Sequence, residues 1–202
     1  VLIRHHYVGV NGVYDQMMCL DRVEHARVIP PADTGVEAIA VVEAVGAGVK
    51  DFRPGDAVAI VKAGSGYRQR QTCPAQDLVK VPEASPRMLA LIPSGVSALL
   101  ALEQVGELSS NEVVCVTAAA GGLGNIAVQL AVNAGNHVVA VCGDEHKAEW
   151  LRSIGVDRVV QYRREDLATV IKTEYADRLD LVLDSVGGSC FDIMVNNLAV
   201  HG

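Results

Sequence analysis

The stretch Val113-Val114-Cys115-Val116-Thr117-Ala118-Ala119-Ala120-Gly121-Gly122-Leu123-Gly124 holds the residues best suited to chemistry in this chain. An apolar run enters a turn of small residues and then opens a helix. At Ala120, Gly121 and Gly122 little side chain separates an anion from the backbone. Free N–H groups and the positive end of the helix can then hold a pyrophosphate. Gly124 lets that helix pack closely on the strand. The alternative is a glycine-rich strand–helix turn that binds nothing. The turn follows the first strand of a βαβαβ series, which is the context a dinucleotide site requires.

A second group of residues addresses which dinucleotide. Enzymes that choose NAD place an acid at the end of the second strand to bind ribose hydroxyls. Here that strand is His137–Val141, and Cys142 takes the position. A thiol does not repel a 2′-phosphate. Lys147 opens the next helix and Tyr162 follows the third strand. A cation and a phenol at this corner suit a phosphate, and hence NADPH. Asp144 and Glu145 count against that reading, and the alternative for Lys147 is a solvated surface lysine.

These groups need a scaffold, and the pattern supplies one. From Pro93 onward, helix Val96–Val105 is followed by alternating strands and helices: Val113–Thr117, Gly122–Ala134, His137–Val141, Glu145–Ile154, Arg158–Val160, Glu165–Thr173, Leu179–Asp184 and Cys190–Leu198. The strands are continuous apolar runs, as when helices cover both faces of a sheet. Four β–α units in a row predict an α/β fold with a parallel, doubly wound sheet. Residues 1–92 differ. Val36–Val45, Ala57–Val61 and Leu78–Val81 read as short strands, and Pro54-Gly55-Asp56 as a turn. This predicts a β-rich, barrel-like unit over 1–92 and a nucleotide-binding unit over 93–202.

The balance of 17 basic and 24 acidic residues, net −7, contains no basic block. It argues against nucleic acid or an anionic membrane as the main partner. Val113–Gly143 lacks charge, but glycines, asparagines and a glutamine divide it into pieces too short to span a bilayer. Five cysteines, odd in number and without a C-x-x-C pair, read as reduced thiols of an intracellular protein.

Val8-Gly9-Val10-Asn11, Gly35-Val36-Glu37, Pro54-Gly55-Asp56, Ser94-Gly95-Val96-Ser97-Ala98, Ala118–Gly124 and Asp184-Ser185-Val186-Gly187-Gly188 occur in an order that resembles the medium-chain dehydrogenase/reductases. The resemblance is to the quinone oxidoreductase and prostaglandin reductase branch. It covers the whole chain and is strongest from residue 90 onward. It implies a GroES-like first domain and a Rossmann second domain. By position it assigns Leu123 and Gly143 to the phosphate and adenosine ends of the cofactor, and Lys147 and Tyr162 to the 2′-phosphate. It puts Ser185 near the nicotinamide-side ribose and Ser97 near the nicotinamide. Relatives usually have serine where Gly143 stands. Asn11 would orient substrate or cofactor and Tyr14 would donate to the substrate oxygen, with a packing role as the alternative for both. The Asn11–Asp15 interval is one residue longer than the usual pattern.

Zinc alcohol dehydrogenases carry Gly-His-Glu where this chain has Gly35-Val36-Glu37. Val36 cannot ligate a metal, so no zinc is expected, and Glu37 reads as a structural, hydrogen-bonded carboxylate. The implied activity is NADPH-dependent reduction of the C=C bond of an α,β-unsaturated ketone or aldehyde, of the kind presented by 15-keto-prostaglandins. The alternatives are quinone reduction and non-catalytic, redox-sensing binding of NADPH. The family adds two more strands to the sheet and dimerises through the last. The chain, opening within a strand and ending at Gly202, is therefore expected to lack the homodimer contact and to be weakly active or inactive alone. Its location is read as cytoplasmic by default, and as peroxisomal in some relatives.

Overall fold

The computed structural model describes residues 1–20, 22 and 31–202. The chain divides into two compact units, Val1–Pro93 and Ser94–Gly202.

The first unit is built on one antiparallel sheet. Its strands are β1 (Leu2–Val8), β2 (Glu37–Ala44), β3 (Ala57–Val61), β4 (Arg70–Thr72) and β5 (Leu78–Lys80), ordered β4-β1-β2-β3-β5. Ile3, Ala38, Ala40, Val42, Val58, Ile60 and Leu78 form its core. Ala38, Ala40 and Val42 alternate along β2, so one face of the strand is buried by a period of two. Gly55, at φ 94°, makes the turn into β3, where Gly55 N donates to Val42 O at 2.9 Å. A short helix, α1 (Gly12–Cys19), follows β1 directly. This segment carries no clear apolar period, and the sequence reading did not anticipate the helix.

A helical stretch, α2 (Pro86–Val105), contains the division between the units. It breaks at Ile92 (φ −90°, ψ 162°), the residue before Pro93. Ser85 caps its start by accepting from Met88 N at 3.3 Å. Among the described residues α2 alone is long and apolar enough to cross a membrane, with a mean hydropathy of 1.6, and this by length and composition only. It is not the segment that raised this question in the sequence.

The second unit is a four-stranded parallel sheet: β6 (Val113–Val116), β7 (His137–Cys142), β8 (Arg158–Gln161) and β9 (Leu181–Leu183), ordered β8-β7-β6-β9. Helices α3 (Gly122–Asn133), α4 (Glu145–Ser153), α5 (Leu167–Glu174) and α6 (Ser189–Val195) alternate with the strands. Both faces are buried, which explains why β6 is wholly apolar and β7 is so from Val138 onward, with the polar His137 exposed at its start. Val114, Val116, Val138 and Ala140 point to one face, under Leu102, Ala127, Val128 and Leu151. Cys115, Val139 and Val141 point to the other, under Val170, Ile171 and Met194. The sheet therefore carries two cores, and the carboxyl ends of its strands gather at one edge, where ligands of such sheets bind.

Candidate functional site

Helices α4 and α5 begin with carboxylate caps. Asp144 Oδ1 accepts from Lys147 N at 3.0 Å and Asp166 Oδ1 from Thr169 N at 2.8 Å. Helix α3 has no side-chain cap: Gly121 stands at its start in an extended conformation (φ −80°, ψ 177°). The first N–H groups of a helix have no partner within it, so this end suits an anion that supplies one. The turn before it is tightly drawn. Ala118 sits at φ 46°, Gly121 N donates to Ala118 O at 2.8 Å, and Ala119 N to Val141 O at 3.0 Å. A Cβ on Gly124 would lie 2.4 Å from Ala118 O, so only glycine lets α3 come this close.

A cavity of about 690 Å³ opens at this edge of the second unit. Its volume lies within the range of small-molecule sites, about 300–1,000 Å³. Ala120 and Gly121 line it from the turn after β6, Gly143 and Lys147 from the start of α4, Tyr162 from the end of β8, and Val186, Ser189 and Cys190 from the β9–α6 connection. The structure thus brings together five of the residues singled out in the sequence: Ala120, Gly121, Gly143, Lys147 and Tyr162. Gly122, Leu123 and Gly124 continue from Gly121 as the first turn of α3.

Two expected residues stand apart from the cavity lining. Ser97 is exposed on α2. A Cβ on Gly122 would instead meet Ser94 Oγ at 3.4 Å, which makes Ser94 the α2 hydroxyl nearest the turn. Ser185 is exposed just beyond β9, and its backbone N–H is already committed to Thr117 Oγ1 at 2.9 Å. The neighbours Val186 and Ser189 take the lining positions.

The absence of serine at position 143 has a local explanation. A Cβ there would lie 2.8 Å from Tyr162 Oη. Glycine leaves room for the phenol to lean across the end of β7. Arg163 lies with its guanidinium carbon 6.0 Å from the Tyr162 ring centroid, adding a cation to this corner. Lys147 Nζ pairs with Asp144 Oδ2 at 3.1 Å, and hydrogen bonds from the Lys147 backbone and ammonium hold the Asp144 carboxyl below its ordinary range.

Cys142 and Cys190 also line the cavity. Burial pushes both thiols up, so they face the site as neutral groups. The sequence reading had seen Cys142 only as a missing acid and had given Cys190 no role.

The buried Thr117, also missed as a site residue, orders the far wall. Thr117 Oγ1 donates to Asp184 Oδ1 at 2.5 Å, and Asp184 accepts further from Val186 N at 3.2 Å and Gly187 N at 2.8 Å. Burial alone would raise the Asp184 carboxyl, but the donors from Thr117, Gly187 and Val186 outweigh it and bring it below the usual range.

In the first unit, Asn11 Nδ2 donates to Glu37 Oε1 at 2.8 Å, and Asp15 Oδ2 accepts from Asn11 N at 3.0 Å. Tyr67 Oη donates to the same Asp15 oxygen, and that bond pushes its phenol up to about 12. Glu37 is buried beside Gly9. Burial raises its carboxyl, and the Asn11 hydrogen bond opposes that rise. Glu37 is thus a buried carboxyl with one oxygen hydrogen-bonded to Asn11. Tyr14 lies half-buried on α1. Among the described residues no three His, Cys, Asp or Glu side chains gather as a metal set, and the aliphatic side chain of Val36 has no donor atom for a metal.

The comparisons agree with this architecture. Residues 1–84 match the alcohol dehydrogenase GroES-like domain, and residues 122–202 match the family described as zinc-binding dehydrogenase. The chain is 40% identical to mouse (Mus musculus) prostaglandin reductase-3 over 211 residues, spanning 100% of the chain and 53% of that protein. It is 39% identical to a probable quinone oxidoreductase of Leishmania amazonensis, over 96% of the chain and 57% of that protein. A mycobacterial protein solved in complex with NADPH superposes with a TM-score of 0.82 at 29% identity, covering 100% of this chain and 63% of that one. The chain therefore spans about half the length of the curated relatives it matches. With a GroES-like sheet, a Rossmann-type sheet and valine in the zinc-ligand position, the chain belongs to the zinc-independent medium-chain dehydrogenase/reductases, in the branch of the prostaglandin reductases and quinone oxidoreductases.

Proposed function

We propose that the protein containing this chain is an NADPH-dependent reductase of the activated C=C bond of α,β-unsaturated ketones and aldehydes. The observation that carries the reading is the cavity at the carboxyl edge of the parallel sheet, where an uncapped helix start and the Lys147–Tyr162 corner meet. The residues present fit the cofactor. Amides of Gly122, Leu123 and Gly124 would hold the pyrophosphate, with Ala120 and Gly121 leaving room for it. Lys147 and Tyr162 would hold the 2′-phosphate, and Gly143 would let the adenosine end approach. Once bound, the dinucleotide supplies hydride.

The chain's own work is positioning and electrostatics. Neutral thiols of Cys142 and Cys190 give the cavity wall an uncharged surface. The Thr117–Asp184 bond fixes the β9–α6 connection, which carries Ser185 beside the nicotinamide-side ribose in this reading, and Ser97 is assigned to the nicotinamide end. Asn11, held by Glu37, and Tyr14 would serve the substrate. The identity to a prostaglandin reductase supports an enone acceptor. The protein would act as a homodimer on small molecules, inside the cell where its scattered cysteines stay reduced.

The test is turnover of the full-length protein with NADPH and a 15-keto-prostaglandin, followed by loss of NADPH absorbance and by product mass. Consumption of NADPH with a product two mass units heavier supports the reading. Tight NADPH binding without turnover over a broad enone panel would overturn it. Similarity to a quinone oxidoreductase favours quinone reduction as the second reading, and parallel assays with an enone and a benzoquinone separate the two.

A further inference from the structure

We propose that Asp144 sets the cofactor selectivity of this site, by competing with the cofactor's 2′-phosphate for Lys147. The inference rests on the NADPH reading above and goes beyond it, because it names a residue that weakens the preference.

The geometry is specific. Lys147 Nζ lies 3.1 Å from Asp144 Oδ2, while Asp144 Oδ1 holds the Lys147 backbone N–H at 3.0 Å. The carboxylate therefore grips both ends of the residue that is to meet the phosphate. It cannot swing away without uncapping α4, so a 2′-phosphate must share the ammonium rather than displace its partner. Both side chains are about half exposed, at 52% and 42%, so the pair is open to an incoming anion.

The other charges at the corner are accounted for. Glu145 is engaged by Arg152 at 2.8 Å and by Arg164 at 2.5 Å. Glu165 is engaged by Arg158 at 2.7 Å, and Asp166 caps α5. Arg163, against the Tyr162 ring, is a second cation. Asp144 remains as the negative charge nearest the phosphate-binding side chains. A carboxylate at the start of the helix after the second strand can also accept hydrogen bonds from the ribose hydroxyls of NADH. One side chain thus penalises NADPH and favours NADH, leaving a modest preference where Lys147, Tyr162 and Arg163 alone would leave a strong one.

The test is a fluorescence titration of the protein with NADPH and with NADH, in the parent form and as Asp144→Asn, which keeps the cap and removes the charge. NADPH should tighten by about 1.5- to 5-fold, the scale of a partly exposed charge contact, while NADH stays unchanged or weakens. Asp144→Ser, also a good cap, should move the ratio the same way and guards against a folding defect in the first variant. An NADPH/NADH ratio that stays constant or falls in both variants overturns the inference. Lys147→Ala distinguishes that failure from failure of the cofactor reading. If Lys147→Ala loses the NADPH preference while the Asp144 variants do not alter it, the cofactor reading stands and this inference falls. If the parent protein binds neither dinucleotide, both fall.

Discussion

Thr117 Oγ1, at the end of β6, donates to Asp184 Oδ1 at 2.5 Å just past the end of β9. The same oxygen accepts from Ser185 N at 2.9 Å. A single buried hydroxyl thus joins the end of β6 to the connection that forms the opposite wall of the cavity.

Thr117→Val keeps the shape and removes the hydroxyl, leaving Asp184 and the Ser185 N–H each short of a partner. The cost should be about 1–3 kcal/mol, read from a urea melt. The variant should also respond differently to acid. The Asp184 carboxyl is lowered in the folded state, so it contributes stability above its ordinary titration range, and this is lost as pH falls through the lowered value. Thr117→Val should flatten that acid-side loss. A parent-like melting profile at all pH values would show that the bond carries no stability.

Lys147→Ala tests the phosphate corner directly. NADPH should weaken by roughly tenfold, as expected on losing a charge-assisted contact, with little effect on NADH. Equal loss for both dinucleotides would mean that Lys147 supports the fold of the corner rather than the phosphate.

Two glycines should respond very differently to a side chain. At Gly124 a Cβ meets backbone, with Ala118 O at 2.4 Å and Ala119 Cα at 2.9 Å. Gly124→Ala should cost about 1–3 kcal/mol, because α3 must move off the sheet. At Gly143 the obstacle is the far end of Tyr162, which is 54% exposed and can turn aside. Gly143→Ser should therefore change stability by less than about 1 kcal/mol. Thermal melts of the pair check the contrast.

Glu37 predicts a pH effect of the opposite sign to that of Asp184. Burial raises its carboxyl in the folded state. The folded form then holds a proton that the unfolded form has released, so this group's contribution falls as pH rises through its ordinary value to the raised one. Glu37→Gln keeps an acceptor for Asn11 and removes the charge. It should melt at or above the parent temperature at neutral pH and lose the difference in acid. A large loss at neutral pH would assign Glu37 an ionised role.

Much of the second unit was legible in the sequence. Strands covered on both faces read as continuously apolar runs, and the glycines at 121, 122 and 124 mark a strand-to-helix turn, with a side chain sterically barred at Gly124. The order of the parallel strands, β8-β7-β6-β9, follows the usual winding of such a fold. Val36 was read against zinc for the same kind of local reason, because an aliphatic side chain has no donor atom.

Tertiary structure decided the rest. Helix α1 lies in a segment with no strong apolar period, and β4 has three polar or charged residues, so neither announces itself locally. Pairing Thr117 with Asp184 crosses 67 positions, a contact that exists only once β6 and β9 are neighbours. Lys147 and Tyr162 could each be named from sequence, but Asp144 holding the ammonium and Tyr162 filling the space above Gly143 depend on side-chain geometry at the ends of two strands. Local residue types determined that a dinucleotide edge would form. Only the close approach of chain segments distant in sequence set which hydrogen bonds and charges that edge presents.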